Sequence, residues 1–143
     1  MKELITEIFI EAEPEKVWTV FIDWEKYPEW NPLILSIKGK AIEGEIITVK
    51  LKLENQKPQT FTPRILSLKE NKEFIWRGHL LSTSIFAGEH YFILEAVDNG
   101  TKFIHGEKFG GILSGLILKM IGEKTKKGFE AMNQALKSRV EAN

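Results

Sequence analysis

Apolar and polar residues alternate over the first positions of the chain, with Leu4, Thr6, Ile8, Ile10 and Ala12 on one side and Glu7 and Glu11 on the other. A period of two is the mark of a half-buried strand. The period then changes. Pro14 suits the first turn of a helix, and Val17, Trp18, Phe21 and Ile22 recur at helical spacing. A second short helical turn is predicted from Trp24 to Glu29. It closes at Trp30-Asn31-Pro32, because proline disfavours helical backbone at the residue before it.

From Leu33 to about Phe109 the pattern is that of strands. Leu33, Leu35 and Ile37 alternate, then Ile47, Val49, Leu51 and Leu53. A three-residue loop Ile42-Glu43-Gly44 pairs Ile37 with Val49 and Leu35 with Leu51 and puts both apolar sets on one face, with Gly44 at a positive φ. Phe61, Pro63 and Ile65 form the next run, where Pro63 indicates an edge or a bulge. Phe74, Trp76, Gly78 and Leu80 follow. Asn99-Gly100 reads as a two-residue hairpin turn, pairing Leu94 with His105 and Phe92 with Glu107. On that register His90, Phe92, Leu94, Ala96, Phe103, His105, Glu107 and Phe109 share the inward face, and Glu107 is its single charge.

After Gly110-Gly111 a helical stripe runs to the end through Leu113, Leu116, Ile117, Met120, Ile121, Phe129, Met132, Leu136 and Val140. Gly122 and Gly128 weaken its middle and allow a kink there. The expected fold class is α+β: an antiparallel sheet of about seven strands, two short helices after the first strand, and a long C-terminal helix covering the sheet.

Composition narrows what such a fold can do. The chain has 143 residues, the size of a single domain over 1–143. Its 20 basic and 20 acidic residues cancel, which argues against a protein that works by neutralising nucleic-acid phosphates. With no cysteine there are no disulfides, thiolate metal sites or cysteine nucleophiles. The charged start, Met1-Lys2-Glu3, is no signal peptide, and no stretch approaches the ~18 apolar residues of a membrane span. A cytoplasmic location without stable membrane insertion is the expectation. Phosphate-binding glycine loops and the G-x-S-x-G elbow do not occur.

Several segments are similar to a known family. Ala12-Glu13-Pro14-Glu15-Lys16-Val17-Trp18 resembles the "A-x-P-E-x-V-W" strand-to-helix segment of the SRPBCC (START-like, helix-grip) superfamily. Tyr27-Pro28-Glu29-Trp30-Asn31-Pro32 resembles the "Y-P-x-W-N-P" segment of its polyketide cyclase/dehydrase-like branch. Trp76-Arg77-Gly78, Gly88-Glu89-His90-Tyr91-Phe92, Gly100-Thr101 and Glu107-Lys108-Phe109-Gly110-Gly111 match later blocks in the same order. The resemblance implies a sheet bent around the C-terminal helix, with a cavity between them. Gly115 and Gly122, seven apart on that helix, would leave volume there. The superfamily includes lipid carriers, hormone binders, aromatase/cyclases and chaperone-ATPase activators, so the fold alone does not choose a function.

Three inward side chains have acid–base range: His90, His105 and Glu107. A buried carboxyl beside imidazole is a group whose pKa moves. The expected partner of Glu107 is His90 or a tryptophan N–H, and an ordinary internal hydrogen-bond pair is the plainer role. The same three have the composition of a two-histidine, one-carboxylate metal site. Their spread over two strands works against convergence on one ion, and no metal or cofactor is assigned. The leading expectation is a binder of a small hydrophobic, lipid-like or aromatic molecule, acting as carrier or sensor. Its pocket, on the order of 300–1,000 Å³, would be lined by Trp30, Trp76, His90, Phe92, Glu107, Phe109, Leu116 and Met120. The alternative is a cyclase or dehydratase with Glu107 and His90 as acid and base, and a weaker one is a regulator of a protein partner. Apolar residues cover almost the whole helix circumference over Ile112 to Ile121. With Trp30 they would form either a ligand gate hinged at Gly110-Gly111 or a homodimer patch.

Overall fold

The element order follows the changes of period. In the computed structural model, which describes residues 2–80 and 86–142, strand β1 (Lys2–Ile10) leads into helix α1 (Pro14–Phe21). A 3₁₀ turn (Trp24–Lys26) and the short helix α2 (Tyr27–Trp30) follow. Strands β2 (Ile34–Lys38), β3 (Thr48–Leu51), β4 (Gln59–Phe61), β5 (Arg64–Lys69), β6 (Glu73–Leu80), β7 (Phe86–Val97) and β8 (Gly100–Gly110) come next, and helix α3 (Ser114–Glu141) ends the chain. Pro14 occupies the start of α1. Asn31 ends α2 by accepting the backbone N–H groups of Leu33 and Ile34 at 3.0 and 2.8 Å, a local turn that aims the chain into β2.

The strands form two antiparallel sheets, one of five in the order β1-β8-β7-β6-β5 and one of three in the order β2-β3-β4. The apolar run at Phe61–Ile65 is therefore two strands rather than one. Pro63, which has no N–H to donate, sits between β4 and β5 where the chain passes from the small sheet to the large one. Glu45–Ile47 stitches the sheets together there, with Ile47 N–H donating to the Pro63 carbonyl and Ile65 N–H to that of Glu45.

Two registers differ from the sequence expectation. In β2–β3, Ile37 pairs with Val49 as expected, but a bulge brings Ile34, not Leu35, opposite Leu51. Strand pairing also stops at Lys38–Thr48, so the connection is longer than the three residues 42–44, although Gly44 does take φ 90°. In β7–β8, Val97 pairs with Gly100, Phe92 with His105 and His90 with Glu107. The turn is thus Asp98-Asn99, with Asn99 at φ 65°. Gly100 belongs to the strand because β1 passes against it: a Cβ there would lie 2.4 Å from the Ile10 carbonyl oxygen. The slip is two residues, so every side chain stays on its expected face.

The inner face of the large sheet packs on α1 and on α3 through Phe21, Phe74, Phe92, Phe103, Phe129, Met132, Leu136 and Val140, all buried. Phe21 centres this cluster, with ring centroids 4.9 Å from Phe92, 5.7 Å from Phe103 and 6.0 Å from Phe74. Each such side chain contributes about 1.5–3 kcal/mol by leaving water. No helix among the described residues is long and apolar enough to cross a membrane.

Candidate functional site

Between the sheets and the middle of α3 the core gives way to a pocket of about 370 Å³. Its walls are Trp76, Gly78, Gly88, His90, Glu107 and Phe109 from the large sheet, Leu33, Val49, Leu51 and Leu53 from the small sheet and its flanks, and Ile117, Ile121, Thr125 and Phe129 from α3. The exposed residues Lys57, Gln59, Phe61 and His79 mark its mouth. The volume comes from the strands. Gly78 and Gly88 are direct cross-strand partners, so on the rung that Phe109 continues in β8, β6 and β7 carry no side chain. The helical glycines contribute none of it: a Cβ on Gly115 would touch only Lys2, and one on Gly122 only its own helix neighbour Leu118. Gly128 instead lets Leu33 pack close, 2.9 Å from where its Cβ would be.

A line of polar groups runs under this pocket. His90 lies opposite Glu107, and its Nδ1 is 3.6 Å from Glu107 Oε1. His90 Nε2 is 2.7 Å from His105 Nε2. His105 Nδ1 is 2.9 Å from Asn133 Oδ1, Asn133 Nδ2 donates to Thr6 Oγ1 at 2.8 Å, and Thr6 Oγ1 donates to the His105 carbonyl at 2.8 Å. Aromatic rings enclose the imidazoles, with Phe129 stacked on His105 at 4.1 Å and Trp76 4.7 Å from His90. Because His90 and His105 aim their Nε2 atoms at each other, the three groups form a chain and do not converge on one point. Gly88 belongs to this site: a Cβ there would fall 2.3 Å from Glu107 Oε2, so the carboxyl occupies space that only glycine leaves free.

Burial governs the protonation of all three groups. It drives His105 down to about 3, against the opposing effect of its bonds to Asn133 and the Phe129 backbone. Burial, with His105 alongside, pushes His90 well below the usual imidazole range. The Glu107 side chain keeps 19% of its surface accessible, and that surface lines the pocket; burial raises its carboxyl to about 8. At neutral pH the line is uncharged, and the His90–Glu107 contact joins neutral groups rather than an ion pair.

Of the eight residues expected at the pocket, the structure brings four together there: Trp76, His90, Glu107 and Phe109. Phe92 lies beneath them, fully buried in the aromatic cluster. Leu116 and Met120 point outward, 58% and 71% exposed, because the sheet-facing stripe of α3 runs one residue further on through Ile117, Ile121, Thr125 and Phe129. Trp30 packs on Tyr27, with ring centroids 5.1 Å apart. Its neighbour Glu29 meets Arg139 at 2.8 Å, which places α2 roughly 35 Å of helix from Leu116. The expected cluster of Trp30 with Ile112–Ile121 does not form. Thr6 and Asn133 were the missed members of the polar line. A polar Asn133 inside the stripe Phe129, Met132, Leu136, Val140 is the signal that could have revealed one of them.

A bent sheet closed by a long helix over an apolar pocket is the helix-grip architecture. Residues 1–141 match the family described as "Polyketide cyclase / dehydrase and lipid transport", and the chain belongs to that family, within the SRPBCC proteins. No curated protein is significantly similar in sequence. Among solved structures, the Zhui aromatase/cyclase from Streptomyces sp. R1128 superposes with a TM-score of 0.77 at 13% identity, covering 98% of this chain and 93% of that one. A Chromobacterium violaceum protein gives 0.76 at 15% identity, with 100% of each chain covered. One from Thermus thermophilus gives 0.75 at 18% identity, covering 99% of this chain and 98% of that one. At these identities the likeness is one of fold.

Proposed function

We propose that the chain binds a small, largely apolar molecule in the pocket between sheet and α3, as a carrier or sensor. The carrying observation is the pocket itself: about 370 Å³, walled inside mainly by aliphatic and aromatic side chains, with His90 and Glu107 as polar groups on the sheet wall, the usual make-up of a small-molecule site. The family description, which includes lipid transport, supports the reading. Native mass spectrometry of the protein purified from its own cells tests it. An adduct of an apolar small molecule, removed on denaturation, is expected. A protein that is adduct-free and takes up no apolar probe in titration overturns it.

A second reading is favoured by one further observation. Glu107, held as an acid, and Nδ1 of His90, on an imidazole that burial keeps neutral, lie 3.6 Å apart at the pocket wall. Such a pair can donate and accept protons in a cyclisation or dehydration of a bound substrate. On this reading Glu107→Gln abolishes turnover and leaves binding intact; retained turnover excludes Glu107 as the acid.

A further inference from the structure

The polar line has a direction, and the direction fixes what it offers to the pocket. Thr6 spends its one hydroxyl proton on the His105 carbonyl, so its oxygen must accept from Asn133 Nδ2. That orients the amide: Asn133 Oδ1 accepts, and His105 Nδ1 carries the proton. A neutral imidazole has one N–H, so His105 Nε2 is an acceptor and His90 Nε2, 2.7 Å away, is the donor. His90 Nδ1 is then left with a lone pair. Glu107 Oε1, 3.6 Å from it, lies beyond the ~2.7–3.2 Å of a good hydrogen bond. No other group among the described residues donates to it.

We propose that the ligand carries a hydroxyl group that seats at this gap, giving its proton to His90 Nδ1 and accepting the proton of the Glu107 carboxylic acid. One oxygen can stand about 2.8 Å from both atoms, because they are so close to each other. The ligand class is therefore an apolar skeleton with an alcohol or phenol at its buried end. A ketone or ether oxygen would set its lone pairs against that of His90. A hydrocarbon would leave both protein groups unpaired in an apolar site, which is costly. An ammonium could donate to both, but only with Glu107 ionised, against the effect of its burial. This inference rests on the binding reading above.

Calorimetric titration of the wild-type protein at pH 7 with 2-naphthol, naphthalene, 2-methoxynaphthalene and 2-(aminomethyl)naphthalene separates these cases. The expected result is 2-naphthol bound about tenfold or more tighter than naphthalene, from two added hydrogen bonds, with the methyl ether no tighter than the hydrocarbon. His90→Phe, which keeps a ring and removes the acceptor, should erase most of that preference. Imidazole ¹⁵N shifts of the wild type supply a reading independent of the variant: His105 protonated at Nδ1 and His90 at Nε2. Equal binding of naphthol and naphthalene overturns the inference and leaves apolar binding standing, as does tightest binding of the amine. The opposite tautomers also overturn it. If none of the four binds, the binding reading fails and this one with it.

Discussion

Glu107 and the two histidines beneath it respond to pH in opposite senses. The carboxyl is raised from 4.5 to about 8 in the folded chain. Its contribution to stability is therefore fully present below pH 4.5 and is lost as pH rises to 8. His105, lowered from 6.5 to about 3, and His90, also well below 6.5, bind protons less readily folded than unfolded, so they cost stability as pH falls below 6.5. Just below pH 6.5 the two histidines together oppose the single carboxyl, which acts alone above that. Thermal stability from these groups should peak near pH 6.5 and fall towards pH 8. Glu107→Gln, isosteric with the neutral acid, should lie within about 1 kcal/mol of wild type near pH 5 and melt increasingly above it as pH rises to 8.5. A calorimetric series over pH 5–9 in which the variant keeps the same alkaline fall would refute this account of Glu107. Gly88→Ala makes the complementary case, since its Cβ would stand 2.3 Å from Glu107 Oε2. It should lower the melting temperature by several degrees and weaken apolar probe binding at least about tenfold, through carboxyl displacement into the pocket. A variant that binds and melts like wild type would show that the carboxyl is free to move.

At the scale of elements, alternation alone gave the inward face of β7 and β8, and the two-residue register slip left it intact. The slip still mattered to the site: it moved His90 from diagonal to directly opposite Glu107. A turn motif cannot show that its glycine is claimed by a third strand, as Gly100 is by Ile10. The phase of α3 was hidden for a different reason. Where seven of ten residues are Ile, Leu or Met, hydropathy does not choose a face, and only the packing shows that Ile117 and Ile121 face inward while Ile112, Leu116 and Met120 do not. Further along, polar outer positions sharpen the stripe, and Phe129, Met132, Leu136 and Val140 are buried as expected. The first turns of α3 also lack a capping side chain and an acidic residue, and none of the residues 114–121 is fully buried, whereas Phe129, Met132, Leu136 and Val140 are. Amide hydrogen exchange over 114–121 should be at least about tenfold faster than over 129–140 in the ligand-free protein. An apolar probe in the pocket should slow it. Equal protection in both segments, unchanged by the probe, would exclude a moving gate. Protection that grows with protein concentration alone would indicate a dimer through Ile112, Leu116 and Met120.

For the molecule as a whole, the pocket is a place where two sheets and a helix fail to meet. A sheet bent around α3 could close on it with large side chains, as it does below at Phe92, Phe103 and Phe129. Instead the rung above carries Gly78 and Gly88, and the helix above Phe129 presents Thr125, whose hydroxyl turns back to its own Ile121 carbonyl at 2.9 Å. The chain forgoes apolar contact there, so the open space costs stability that core packing would otherwise provide. Filling it should restore part of that contact. Ile121→Trp directs a larger apolar side chain into the gap, and Leu116→Trp, five residues earlier and on the outer face, makes the same kind of change in solvent. The inward variant should melt about 2–4 °C higher, corresponding to roughly 1 kcal/mol, and bind an apolar probe at least about tenfold more weakly. The outward variant should change neither quantity measurably. If Ile121→Trp binds the probe as tightly as wild type, the site lies elsewhere than under the middle of α3. If it melts lower, the gap is too small or too rigid to hold an added ring, and the bent sheet is already packed to its limit.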